Sequence, residues 1–166
     1  MGDERPATPP FRVTPARSAR DFADVGDLFE AYAGSLPIDL GYQGFGSEIA
    51  ELPGKYAPPK GELLIARDAL ESPAGCVGLR PLGSGDRCEM KRLYIIPAAR
   101  SFGLGRMLAQ AIISAARQRG YSELLLDTLA TMEAAARLYG GLGFERTPPY
   151  YGPTPPGTIF MRMKLK

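Results

Sequence analysis

Apolar positions change their spacing from segment to segment along this chain, and the spacing predicts the elements. Phe22, Val25, Phe29 and Tyr32 recur at helical intervals behind Ser18, a good cap, and predict a helix over Ala19–Ala33. Leu104, Met107, Leu108, Ala111, Ile112 and Ala115 fit the helical template at every position. Gly120 stops that helix beside Arg117 and Arg119, where positive charge suits the helix dipole. Thr131–Leu142 reads as another helix, ended by Gly143. Strands are predicted at Phe11–Thr14, Leu63–Arg67, Cys76–Leu82 and Arg87–Ile96, with Gly83-Ser-Gly85 as the turn before the last. Leu124-Leu-Leu126, within Glu123–Leu129, is a continuous apolar run typical of a strand covered on both faces. Phe144–Arg146 and Thr158–Leu165 are closing strands around a proline- and tyrosine-rich loop, Pro148–Pro156.

Residues 1–10 are polar, hold three prolines and read as a disordered tail. Residues 34–61 are rich in Gly and Pro, with a short helix expected near Ser47–Leu52; long irregular stretches of this kind tend to be binding loops. The strand–helix–strand unit at 88–129 requires a parallel pair, and the hairpins require antiparallel ones. The expected fold is α/β: a mixed, mostly antiparallel sheet of about seven strands with helices on both faces. At 166 residues the chain fits one domain, over 11–166.

Composition narrows the chemistry. Histidine is absent, which excludes a Ser-His-Asp triad, a Cys-His pair, HExxH zinc chemistry and histidine acid/base work. The two cysteines, Cys76 and Cys88, suggest neither a metal site nor a disulfide framework. A hairpin centred near residue 84 sets Cys88 opposite about residue 80 and Cys76 opposite about residue 92, so both should stay reduced. No apolar run approaches the ~18 residues of a membrane span. The N-terminus lacks a signal-peptide core, and Pro6 stands where a myristoylation site wants Ser or Thr. The chain reads as soluble and cytoplasmic, with no membrane partner, and as a monomer or homodimer.

The net charge of +2 hides an asymmetry: residues 1–75 hold 7 Lys/Arg against 12 Asp/Glu, and residues 76–166 hold 13 against 6. Between 87 and 119 seven Arg/Lys stand against Glu89 alone, which is either a solvated face or a surface that meets phosphates. A nucleic-acid module would want interleaved exposed aromatics there, whereas Tyr94 and Phe102 fall in the segment discussed next, so no nucleic-acid partner is expected.

Arg100-Ser-Phe-Gly103-Leu-Gly105-Arg106 lies between a strand and the most periodic helix. The first amides of a helix lack intrahelical partners and sit at its positive end, and glycine lets an anion approach the backbone. A turn that merely starts a helix is the plain alternative. A dinucleotide fold is another, since Asp127 lies 22 residues after Gly105, near the spacing of a ribose-binding acid. Against it, Leu108 holds the third glycine position, residues 97–102 make the turn too long, and several strands precede the unit.

The segment also resembles the GNAT family of N-acetyltransferases. Arg100, Gly103 and Gly105 fill that family's Gln/Arg-x-x-Gly-x-Gly/Ala pattern, preceded by the similar strand Glu-Met-Lys-Arg-Leu-Tyr-Ile-Ile at 89–96. Ala136-Arg-Leu-Tyr139-Gly-Gly-Leu-Gly143-Phe144 is similar as well. The motifs cover about 60–166, and the element order extends the likeness to residue 11. The resemblance implies a GNAT fold splayed between its fourth and fifth strands by a bulge, and acetyl-CoA as cofactor. Amides of Ser101, Phe102, Gly103, Leu104, Gly105 and Arg106 would hold the pyrophosphate. Leu93 N–H would face the thioester carbonyl, Ile95 would pair with pantetheine like an added strand, and Tyr94 lies between them. Thr131 stands where many members carry an Asn that binds the cofactor arm.

The implied reaction is direct acetyl transfer to an amine within a ternary complex. A primary ammonium, pKa near ~10, must lose a proton, the oxyanion needs donors, and the departing thiolate benefits from a proton. Tyr139 matches the family's thiolate-protonating tyrosine and shares a helix face with Met132, Ala135 and Ala136. Glu89 is either a base, as in the histone-acetylating branch, or the partner of Arg87, Lys91 or a neighbouring strand. Acceptor groups are expected in Leu36–Tyr56 and Pro148–Pro156, with Gln43, Phe45, Tyr150 and Tyr151 as candidates. N-terminal acidity favours a cationic acceptor: a small-molecule or amino-acid-like amine first, a protein lysine or N-terminus second. A non-catalytic acyl-CoA-binding domain is the remaining alternative.

Overall fold

The computed structural model describes residues 10–166; all but the last residue of the expected tail lies outside them. A seven-stranded sheet runs in the order β1-β2-β3-β4-β5-β7-β6. The strands are β1 Arg12–Pro15, β2 Glu62–Arg67, β3 Pro73–Pro81, β4 Arg87–Ile95, β5 Glu123–Leu129, β6 Glu145–Arg146 and β7 Thr158–Lys164. Only β4 and β5 are parallel; the other neighbours are antiparallel. The helices are α1 Ala19–Ser35, α2 Phe45–Ala50, α3 Leu104–Gln118 and α4 Glu133–Leu142.

Local chemistry explains the boundaries. Ser18 Oγ accepts from Asp21 N at 3.1 Å while Asp21 Oδ2 accepts from Ser18 N at 3.3 Å, a reciprocal cap that starts α1. Gly103 caps α3 at φ 77, and Gly120 follows it at φ 82. α4 begins at Glu133, two residues later than the periodicity predicts, because Thr131 and Met132 still belong to the turn after β5. α2 lies at Phe45–Ala50 rather than 47–52, between 3₁₀ turns at Leu40–Gln43 and Gly54–Tyr56. β3 begins earlier than expected, at Pro73. The hairpin turns half a residue later than expected and β4 carries one extra residue, so Cys88 faces Pro81 and Cys76 faces Tyr94. Both thiols are free and buried, and burial pushes the Cys88 pKa up to about 12.

Two cores flank the sheet. Under α3 and α4, Leu104, Leu108 and Ile112 meet Val77, Leu79, Cys88, Met90, Leu124 and Leu126. Under α1 a smaller cluster joins Val25, Leu28 and Phe29 to Leu63, Ile65, Cys76 and Tyr94. Tyr56 lies so close to β3 that a Cβ on Gly78 would stand 2.6 Å from its ring.

Candidate active site

β4 and β5 pair only at Arg87–Glu123, Cys88–Leu124 and Glu89–Leu125, although β4 runs on to Ile95 and β5 to Leu129. The cause lies on the opposite edge of β4. Lys91 faces Gly78 and Tyr94 faces Cys76, so Arg92 and Leu93 together stand against Val77. This is a β-bulge, with Arg92 at φ 61, and it bends β4 away from β5. Ile96 donates to Ala74 O at 3.0 Å, so ladder alternation turns the backbone of Ile95 and Leu93 toward the gap. Arg100 Nε donates to Ile95 O at 3.0 Å, and its guanidinium stands 5.8 Å from the Tyr94 ring centroid. A cleft of about 770 Å³ opens in the gap, walled by β4, β5, α4 and residues 32–43.

One end of the cleft meets the start of α3, where Gly105 lines it. Arg100 N bonds Pro97 O and Met107 N bonds Gly103 O. Among the described residues the six amides between them, 101–106, have no protein acceptor, and α3 has no side-chain cap. Ser101 and Gly103 both have positive φ, at 74 and 77, which turns successive N–H groups toward one concavity. Nothing lies within 4 Å of a Cβ built on Gly103. Arg106 is exposed, and so is Phe102, whose ring packs edge-on against Phe11. This arrangement fits a pyrophosphate: unsatisfied donors, a positive helix end and open backbone.

Tyr139 lines the cleft from the buried face of α4, edge-on to Phe144. No hydrogen bond from another described residue reaches its hydroxyl, and burial, chiefly, holds its pKa above the phenol range. It is therefore protonated at neutral pH and able to donate into the cleft. Leu93, Tyr94, Ile95, Arg100 and the exposed Thr131 line the same cleft.

The other end of the cleft is a buried polar network assembled from distant segments. Lys91 Nζ donates to Gln43 Oε1 at 3.1 Å and stands 3.6 Å from Asp127 Oδ1. Arg92 donates to Gln43 Oε1 at 2.7 Å and to Glu48 Oε2 at 2.8 Å, and stacks on the Phe45 ring. The Tyr151 hydroxyl donates to Asp127, and Gln43 Nε2 donates to Tyr151 at 3.2 Å. Behind them Glu89 is fully buried, with Arg80 Nε on one oxygen at 2.8 Å and the Tyr150 hydroxyl on the other at 2.5 Å. Burial pushes the Lys91 pKa down, against the pull of Glu89 and Asp127. Burial and the Glu89 charge push that of Tyr150 up.

The candidates from sequence thus divide. Gln43 lines the cleft, whereas Phe45, Tyr150 and Tyr151 do not. Phe45 covers Arg92, and the two tyrosines tie the β6–β7 loop to β4 and β5. Glu89 has the neighbouring-strand ion pair, with Arg80, and does not reach the cleft. Among the described residues no carboxylate of the acidic N-terminal half lines the cleft: Asp21 and Asp24 pair with Arg67, Glu62 with Arg17 and Arg119, Glu71 with Arg12, and Glu48 holds Arg92 from behind. Sequence reasoning missed Lys91, Arg92 and Asp127 as cleft residues. The available signal for Asp127 was a charge directly after the apolar run Leu124–Leu126.

Residues 28–144 match the Acetyltransferase (GNAT) family. The chain is 38% identical over 153 residues to an uncharacterized N-acetyltransferase of Schizosaccharomyces pombe, covering 92% of this chain and 94% of that one. The fold is similar to a GNAT-family acetyltransferase from Staphylococcus aureus, with a TM-score of 0.78 at 15% identity over 94% of this chain and 99% of the other. It is also similar to a Salmonella typhimurium protein solved with its cofactor acetyl-CoA, with a TM-score of 0.69 at 21% identity over 95% of each. An acyltransferase architecture is what the split sheet and its cleft define. The chain belongs to the GNAT family of acetyltransferases.

Proposed function

We propose that this protein transfers the acetyl group of acetyl-CoA directly to a primary amine of a small or amino-acid-like molecule. One observation carries the reading: the β4–β5 gap joins six amides without acceptors to a buried site holding Lys91 and Asp127. Acetyl-CoA supplies an activated acyl thioester. The 101–106 amides hold its pyrophosphate, with Arg106 adding charge and Arg100 bracing Ile95. The gap-facing backbone of Leu93 and Ile95 lies along its arm, and Leu93 N–H supports the carbonyl oxygen. Tyr94 and Thr131 complete the wall.

Asp127, the more buried of the two carboxylates lining the cleft, receives the first ammonium proton, which then passes to solvent. The free amine attacks, an N–C bond forms and the C–S bond breaks. Tyr139 donates its proton to the departing sulfur and recovers the second amine proton. Glu89 is a positioning residue, holding the Tyr150 loop and Arg80. Holding the amine against the thioester supplies the remaining rate.

Calorimetry with CoA tests the cradle. Gly103→Glu sets like charge where the pyrophosphate lies, and should weaken binding by at least about tenfold. Gly103→Asn, which tolerates positive φ, should bind nearly as the parent does. Equal affinity in Gly103→Glu and the parent would remove the assignment.

A further inference from the structure

The acetyltransferase reading leaves the acceptor open, and the polar end of the cleft narrows it. Lys91, Arg92 and Asp127 all line it, the first two with side chains 3% exposed and the third 11%. The Lys91–Asp127 separation of 3.6 Å is an ion pair but too long for a hydrogen bond, so neither group spends a hydrogen bond on the other. Lys91 carries three donors, of which Gln43 takes one. Asp127 uses Oδ2 for Tyr151 and turns Oδ1 toward Lys91. A cation and an anion therefore lie side by side at a separation close to that between the poles of an α-amino acid. Burial disfavours the Lys91 ammonium, and each carboxylate beside it opposes that shift.

Apolar residues line the cleft as well. Leu36, Pro37, Ile38 and Leu40 line it from the segment after α1, with Tyr32 beside them. Arg92 is held by Glu48 from behind, so its guanidinium is rigid and presents donors without a search through rotamers.

We propose that the acceptor is a free α-amino acid with an apolar side chain, its carboxylate held by Lys91 and Arg92 and its ammonium received at Asp127. The inference rests on the acetyltransferase reading. The amine nitrogen bonds the acetyl carbon, the thioester C–S bond breaks, and the products are an N-acetyl amino acid, free CoA thiol and one proton released to solvent. A polyamine offers Lys91 and Arg92 only repulsion, and a protein lysine brings no free carboxylate beside its amine.

Thiol release from acetyl-CoA is measured with leucine and phenylalanine, with their amides, and with isoamylamine and phenethylamine. The amides keep the side chain and the amine but lose the negative charge. The acids should exceed both other sets in kcat/KM by at least about tenfold, the scale of one hydrogen bond to a charged group. Lys91→Met should raise KM for the acids by at least about tenfold more than it does for the amides. Lys91→Arg, which keeps the charge, should retain the preference. Calorimetry of leucine with the CoA-bound protein gives the same comparison without turnover. Amides or simple amines used as well as the acids, or no turnover and no saturable binding of either acid, overturns this acceptor while acetyl-CoA binding stands. A protein that does not bind acetyl-CoA loses the acetyltransferase reading and this acceptor with it.

Discussion

The two faces of the sheet bury the same strand in opposite ways. Toward α3, β4 presents Cys88 and Met90 to a continuous apolar core. Toward the 34–61 segment and the Tyr150–Tyr151 loop it presents Glu89 and Lys91, both almost fully buried, into a network of three cations and three carboxylates. The apolar face needs only volume and shape, so its members are interchangeable within packing limits. Each group on the polar face needs a particular partner at a particular distance, since an unpaired buried charge costs several kcal/mol (about 3–5). The first face fixes where β4 is. The second decides what can bind beside it.

That contrast breaks in graded ways. The largest expected effect is in the cleft between the faces: Tyr139→Phe keeps the ring against Phe144 and removes only the hydroxyl. Steady-state kinetics should show kcat lower by about 10²–10⁴-fold, with little change in acetyl-CoA affinity. A lower melting temperature at normal kcat would return Tyr139 to the core.

On the apolar face, Leu108→Ala should cost about 2–5 kcal/mol in urea unfolding, with kcat per folded molecule unchanged. A comparable fall in kcat at full folding would mean that this face is not merely a platform.

Smaller is the effect of Glu89→Gln, which keeps size and a hydrogen bond to Tyr150 but loses the ion pair with Arg80. A positioning role predicts kcat/KM down by about tenfold or less, with the acidic limb of the pH–rate profile in place. Loss of that limb would make Glu89 the base.

The smallest effect lies outside both faces. Asp21 has its pKa lowered to about 2, first by the Arg17 amide and then by Arg67 and Ser18. A depressed carboxylate stabilises the fold above its unfolded pKa, and the benefit is lost as pH falls from about 4 toward 2. Asp21→Asn should flatten the melting temperature over that window and lower it slightly at pH 7.

The apolar face was legible in the sequence almost residue by residue. α3 is amphipathic, ends at a glycine, and packs on strands whose own patterns are local. Gly103 was legible for the same reason, since a positive φ before a helix leaves a mark in the residue itself. The polar face was not. Lys91 meets Gln43 across 48 residues, Arg92 meets Glu48 across 44, and Tyr150 meets Glu89 across 61. Side-chain partners so far apart have no periodicity to announce them. The bulge at Arg92 is equally silent, because a positive φ usually calls for glycine and here rests on Arg92's tertiary bonds to Glu48 and Gln43. Asp127 was visible as a charge after an apolar run and, by its spacing from Gly105, as a ribose-binding acid; its place beside Lys91 was not.

The premature end of the β4–β5 ladder gives this sheet four edges instead of two. The outer pair, β1 and β6, are four and two residues long, too short to template another chain. Of the inner pair, the open stretch of β4, Met90–Ile95, is longer than either and would be the aggregation-prone one, a row of unpaired amides in the middle of the molecule. It is protected by enclosure rather than by brevity, since residues 32–43 and α4 wall the gap. Amides of Leu93 and Ile95 should therefore exchange with deuterium like those of an edge strand while the gap is empty, and slow when a linear ligand fills it. A central strand that behaves as an edge until it is occupied gives this fold a built-in sensor of its own loading.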